Sequence, residues 1–98
     1  MPGAGIVLGR VPDVREPAEY TGPLGHIRDA TLIPLGQLAV RTSELPKDKP
    51  IVAVCRSGGR SAQATAILQK AGFDKVANLT GGMLRWNEEK LPVEGAGS

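Results

Sequence analysis

Residues 51–79 read IVAVCRSGGRSAQATAILQKAGFDKVANL, and their patterning decides the fold class. "IVAV" (51–54) is a continuous apolar run, as expected of a strand buried on both faces of a parallel sheet. "SAQATAILQKAG" (61–72) places Ala64, Ile67, Leu68 and Ala71 at the i, i+3, i+4, i+7 spacing of an amphipathic helix. Gly72 stands where a helix C-terminal glycine belongs. "KVANL" (75–79) reads as another short strand. Alternating strands and helices predict an α/β fold with a mainly parallel sheet.

The flanking segments fit the same alternation. A first strand is expected in "GIVLG" (5–9) or "RVPDV" (10–14), although Pro12 cannot donate to a ladder and favours edges or strand ends. "EPAEY" (16–20) reads as a helical turn with Pro17 in its first turn. "GPLGHI" (22–27) is a loop, and "ATLIPL" (30–35) a short strand stopped by Pro34. "LGQLAVRTSEL" (35–45) carries Leu35, Leu38, Ala39 and Leu45 near helical spacing and predicts a helix. "PKDKP" (46–50) is a polar turn. "GGMLRWNEEK" (81–90) opens a last helix with Met83 and Trp86 at i, i+3. The tail "VEGAGS" (93–98) is expected to fray outside the fold.

Composition narrows the class. A chain of 98 residues predicts one domain, spanning residues 1–98. A hydrophobic content of 41% supports a globular protein, and 3% aromatics make its core aliphatic. A net charge of +2, from 12 Lys+Arg and 10 Asp+Glu, is too small to imply nucleic acid or a membrane surface as partner. One cysteine cannot form an internal disulfide, which fits a reducing compartment. The first residues show no signal-peptide pattern. No apolar stretch approaches the ~20 residues needed to span a bilayer. The cytoplasm is the expected location.

The one cysteine, Cys55, follows a central strand and precedes a helix, at the sheet edge where open α/β folds bind ligands. The intervening "RSGGR" lets successive backbone N–H groups converge on one point. The helix adds its own free N–H groups and the positive end of its dipole. Arg56 and Arg60 add permanent charge. Such surroundings lower a thiol pKa from ~8.5, so Cys55 is expected to be a thiolate nucleophile at neutral pH. A lone cysteine after an apolar run is often only a small buried hydrophobe. An inert one, however, gains nothing from two glycines and two arginines.

"VCRSGGRSAQATAILQKAGFDKVANLTGGMLRW", preceded by "DVREPAEY", "GHI" and "LIPL", resembles the rhodanese-like domain, the sulfurtransferase family. The resemblance covers about residues 13–92. It implies a small parallel sheet flanked by helices. It makes Cys55 the catalytic residue and Arg56, Ser57, Gly58, Gly59, Arg60 and Ser61 the substrate-binding cradle. Related phosphatases and arsenate reductases have a C-x5-R loop. Cys55 to Arg60 is C-x4-R, a smaller loop suited to a sulfur atom on the cysteine. The implied reaction takes a sulfane sulfur from a small anionic donor such as thiosulfate, through a Cys55 persulfide, to a thiol or an acceptor protein. No cofactor or metal is called for.

Supporting residues follow from the same resemblance. Asp13 and Arg15, at the end of the first strand, are frequent supports of the active loop; the alternative is a surface ion pair. His26, the one histidine, is a candidate base, but an ionised thiol needs none, and a structural hydrogen-bonder is favoured. Gly81, Gly82 and Trp86 match the family's "GG…W" element, with Trp86 assigned to the core. Met83 and Leu84 either rim the pocket or pack. Two departures stand out. "GRVP" (9–12) replaces an apolar run, so an N-terminal strand or helix is expected to be missing or reduced, leaving an exposed edge that a partner or a second copy could cover. Asp29 stands where a glycine is usual. Three other functions remain open: a persulfide carrier serving one protein partner, a binding module without turnover, and a phosphatase or arsenate reductase.

Overall fold

The computed structural model describes residues 10–96, so "GIVLG" lies outside the described residues. The first strand among the described residues is β1, Pro12–Asp13, within "RVPDV". It pairs in parallel with β2, Thr31–Leu32, in the register Pro12–Thr31 and Asp13–Leu32. Strand β3, Ile51–Ala53, pairs in parallel with β4, Val76–Asn78, with Ala53 opposite Asn78. Parallel bridges Arg10–Ile51 and Asp13–Val54 join the two pairs, giving the spatial order β2-β1-β3-β4.

Pro12 therefore stands at a strand end, as the first residue of β1, but on an internal strand and not at a sheet edge. Arg10 and Val14 each donate a backbone bond toward the β3 side, to Pro50 and Val54. Pro12, between them, has no N–H to give, yet its carbonyl accepts from Val54 N at 3.0 Å. The ladder loses one rung and continues.

Strand alternation splits the core. Ile51, Ala53 and Cys55 face one cluster with Ala64, Leu68 and Phe73, while Val54 faces the other with Val11, Ile27 and Met83. Both faces of the sheet are covered, which explains the unbroken apolar run of 51–54. Helix α1, Pro17–Tyr20, starts with a capping box in which Glu16 and Glu19 satisfy each other's backbone N–H groups. Helix α3, Gly59–Lys70, buries Ala64 and Leu68 as the periodicity predicts. It ends in a Schellman motif: Gly72 N bonds Gln69 O at 3.1 Å and Phe73 N bonds Leu68 O at 3.0 Å. Helix α4 is Gly82–Glu88.

The helix expected over 35–45 is broken. Helix α2 covers only Leu35–Leu38, and a 3-10 turn follows at Thr42–Glu44. Gly36, Val40, Thr42 and Ser43 are weak helix formers, and Val40 stands 84% exposed. Arg41 holds the bend by bonding Gln37 Oε1 at 2.7 Å and both Glu44 oxygens. The turn then seats Leu45 in the core.

The expected fraying of the tail does not hold for residues 93–96, while 97–98 lie outside the described residues. Residues 93–96 are tied to the fold by an antiparallel bridge in which His26 N and Glu94 N each donate to the other's carbonyl at 2.9 Å. Asp29 adopts φ +65°, the left-handed region that glycine favours and Asp tolerates. Among the described residues, no helix is long and apolar enough to cross a membrane.

Candidate active site

Cys55 ends the run that contains β3 and is 1% exposed. Four residues on, the chain is already in α3, so the loop must turn within Arg56–Gly58. Gly58 takes φ +109° as the N-cap of α3. Its N–H points back to Cys55 Sγ at 3.0 Å. Ser61, in the first turn of α3 and fully buried, brings Oγ to 3.3 Å from the same sulfur.

Helix α4 shapes the loop from behind. Met83 N donates to Cys55 O and Leu84 N to Arg56 O, both at 2.9 Å. These bonds turn the loop carbonyls toward α4, while the Ser57 and Gly58 N–H groups face the sulfur. The close approach depends on Gly82, with φ +55°. A Cβ there would lie 2.4 Å from Cys55 O and 2.5 Å from Arg56 O.

Burial pushes the Cys55 thiol pKa up. The Ser61 hydroxyl and the N–H groups of Ser61, Gly58 and Ser57 pull it down further, and the net direction is below the ordinary thiol value. The hydroxyl and the backbone amides, more than the arginines expected from the sequence, carry the lowering.

The two loop arginines divide. Arg60 forms a two-pronged ion pair with Glu19, Nη1–Oε1 at 2.7 Å and Nη2–Oε2 at 2.8 Å, tying α3 to α1. Arg56 is exposed and, among the described residues, has no ion-pair partner within 4.0 Å. It borders a cleft of about 270 Å³ lined by Arg15, Glu19, Pro23, Leu24 and Arg56. Ser57 and Gly59 are exposed at the outside of the loop.

Asp13 and Arg15 are a fully buried ion pair, not a surface one, with Nη2–Oδ2 at 2.7 Å and Nε–Oδ1 at 2.8 Å. Asp13 bridges to Val54, next to the cysteine, but the remaining Arg15 bonds run elsewhere. They reach Glu19 O at 3.2 Å and Gly25 O at 2.7 Å. The pair thus positions α1, and through it Glu19, instead of bonding the loop directly. His26 stacks on Tyr20 at 3.7 Å, and its Nδ1 lies 2.9 Å from Tyr20 O. Its bonds are those of a structural residue. Trp86 is half-buried with Nε1 donating to Pro92 O at 2.9 Å, and Met83 is fully buried packing.

Two residues escaped the sequence reading. Glu19 lay within the "EPAEY" turn with nothing to mark its distant partner. Asn78 closes β4 at the same sheet edge as Cys55. Its Nδ2 donates to Gly58 O at 3.3 Å, and its Oδ1 meets the Ser61 hydroxyl. A polar residue ending an apolar strand at the ligand edge was the available signal.

The sequence pattern of the rhodanese-like domain matches residues 4–89, reaching back ahead of Asp13, where the resemblance was expected to begin. The chain belongs to the rhodanese-like domain family. An Allochromatium vinosum protein named a sulfurtransferase is 44% identical over 81 residues, covering 83% of this chain and 74% of that protein. The crystal structure of a rhodanese-related protein from Thermoplasma volcanium superposes with a TM-score of 0.81 at 35% identity, covering 88% of this chain and 83% of that one. A NAD-dependent persulfide reductase from A. fulgidus matches with a TM-score of 0.68 at 42% identity. It covers 79% of this rhodanese-like domain, which spans only 14% of the reductase.

Proposed function

We propose that this rhodanese-like domain is a sulfurtransferase that carries a sulfane sulfur on Cys55. The observation that carries the reading is the convergence of Gly58 N–H and Ser61 Oγ on Cys55 Sγ, at 3.0 and 3.3 Å. The similarity to a protein named a sulfurtransferase supports it.

The chemistry is a double displacement. The Cys55 thiolate attacks the outer sulfur of thiosulfate. The S–S bond to the sulfonate sulfur breaks, and sulfite leaves with the bonding pair. Cys55 then holds a persulfide whose negative charge lies on the outer sulfur. An acceptor thiolate, or cyanide, attacks that outer sulfur and departs with it, and the Cys55 thiolate returns. The loop N–H groups stabilise negative sulfur in both resting forms. Arg56, facing the cleft, holds the anionic donor. Arg60, committed to Glu19, braces the loop. Asp13 and Arg15 support the site from behind, and His26 takes no part in the chemistry.

The test is steady-state kinetics with thiosulfate and cyanide. Thiocyanate formation with parallel double-reciprocal lines, abolished in Cys55→Ser, is the expected result. Cys55-dependent hydrolysis of an aryl phosphate without sulfur transfer would instead assign the loop to phosphate chemistry.

A further inference from the structure

We propose that Asn78 is a positioning residue that competes with the Cys55 thiolate for the single proton of the Ser61 hydroxyl, and so favours the sulfur-loaded form of the site. The inference rests on the reading of Cys55 as the sulfur-carrying residue.

Ser61 Oγ stands between two acceptors, Cys55 Sγ at 3.3 Å on one side and Asn78 Oδ1 on the other. A hydroxyl has one proton to donate, so both bonds cannot be made at once. Ser61 is fully buried and Asn78 half-buried, which limits the water available to the unserved acceptor. The Asn78 amide cannot resolve the conflict by turning over. Its Nδ2 donates to Gly58 O at 3.3 Å. The flipped amide would set two carbonyl oxygens against each other.

The occupant of Cys55 therefore decides where the proton points. A neutral thiol donates its own S–H to Ser61 Oγ while Ser61 donates to Asn78, and the chain is satisfied. A thiolate needs the Ser61 proton, a charge-assisted bond, and drawing it away leaves Asn78 Oδ1 facing the lone pairs of Ser61. In the persulfide the charge has moved to the outer sulfur. Cys55 Sγ is then a neutral divalent sulfur, a weak acceptor. The Ser61 proton returns to Asn78 Oδ1. Asn78 thus penalises the free thiolate and not the loaded form. No bond other than a hydrogen bond changes in this exchange.

Direct titration of the Cys55 thiolate by its ultraviolet absorbance tests the competition without a sulfur donor and without reagent access to a buried sulfur. Asn78→Leu keeps the number and branching of the side-chain heavy atoms and removes the acceptor. It should raise the acid dissociation constant of Cys55 roughly three- to tenfold. In a Ser61→Ala background the same substitution should leave the constant unchanged. The charges around Cys55 stay constant among the wild type, Asn78→Leu and Ser61→Ala proteins: Arg56 beside it, Arg60 with its Glu19, and the Asp13–Arg15 pair. Asn78→Asp, a stronger acceptor, should lower the constant more in the Ser61 protein than in Ser61→Ala, and it serves if Asn78→Leu does not fold. An Asn78→Leu constant that is unchanged or lowered, or a shift of equal size in both backgrounds, would overturn the proposal. The second result would mean that Asn78 acts only through Gly58. At a pH above the Cys55 midpoint of both proteins, equilibration with a small thiol persulfide should leave Asn78→Leu less loaded by the same factor. Failure of every variant to take up sulfur would count against the function of Cys55, while the titration would still decide the competition.

Discussion

Glu19 and Arg60, 41 residues apart in the chain, meet through two parallel hydrogen bonds of 2.7 and 2.8 Å. The pair clamps the short helix α1 to the start of α3, and Arg15 holds the other side of α1 through Glu19 O. One arginine of the Cys55 loop is thereby spent on structure, and the proposed reaction leaves Arg56 to meet the donor.

This clamp sets an acid sensitivity. Arg60's hydrogen bonds chiefly, against the opposing effect of burial, hold the Glu19 carboxyl at about 2 in place of its ordinary 4.5. A carboxyl lowered by folding stabilises the protein fully above its unfolded pKa and loses that contribution as pH falls through the folded value. Urea midpoints followed from pH 5 to 2 should therefore fall more steeply in the wild type than in Glu19→Gln. The difference should be about 1 kcal/mol or less, because the pair is partly solvated. Parallel curves would show that the clamp contributes nothing.

Gly82→Ala should damage both stability and activity. The left-handed backbone alone costs about 1–2 kcal/mol for a residue with a Cβ. The new methyl would also press on the Cys55 and Arg56 carbonyls at 2.4 and 2.5 Å. Displacing the loop should lower kcat on the order of a hundredfold. Gly59→Ala is the contrast. A Cβ at Gly59 meets no atom within 4 Å, so its thermal unfolding should match the wild type or rise slightly. Equal losses in the two variants would refute the steric account.

Asp13→Ala should be costly for a different reason. It leaves the Arg15 guanidinium buried without its counter-charge, a loss of about 3–5 kcal/mol by denaturant unfolding. A loss below about 1 kcal/mol would mean that Arg15 finds solvent or another partner.

The rate of sulfur uptake should rise with pH and level off below the ordinary thiol pKa, because the folded site lowers that of Cys55. Ser61→Ala removes the strongest lowering contact and should move the midpoint upward. A pH profile identical to that of a free thiol would contradict the cradle.

The strand–loop–helix around Cys55 was legible because local chemistry decides it: the apolar run, the glycines and the helical spacing lie within 29 residues that pack against one another. The GG element was legible through its glycines. Residues 35–45 misled because Leu35, Leu38 and Leu45 are all core residues or packed against it, yet Val40, Thr42 and Ser43 favour a bend over a continuous helix. The tail misled because its attachment is largely backbone to backbone, through His26 and Glu94, and Val93, which packs against the core, makes no periodic pattern by itself. Glu19 and Asn78 were invisible for a related reason. Each matters through a partner distant in the chain, Arg60 for one and Ser61 with Gly58 for the other.

Sulfur transfer through Cys55 is tested by the intact mass of the protein after incubation with thiosulfate, compared between wild type and Cys55→Ser. A gain of one sulfur atom is expected in the wild type, removed by cyanide or dithiothreitol and absent in Cys55→Ser. A wild type that gains no sulfur from thiosulfate or from a small thiol persulfide, or a Cys55→Ser protein that gains it equally, would contradict the account.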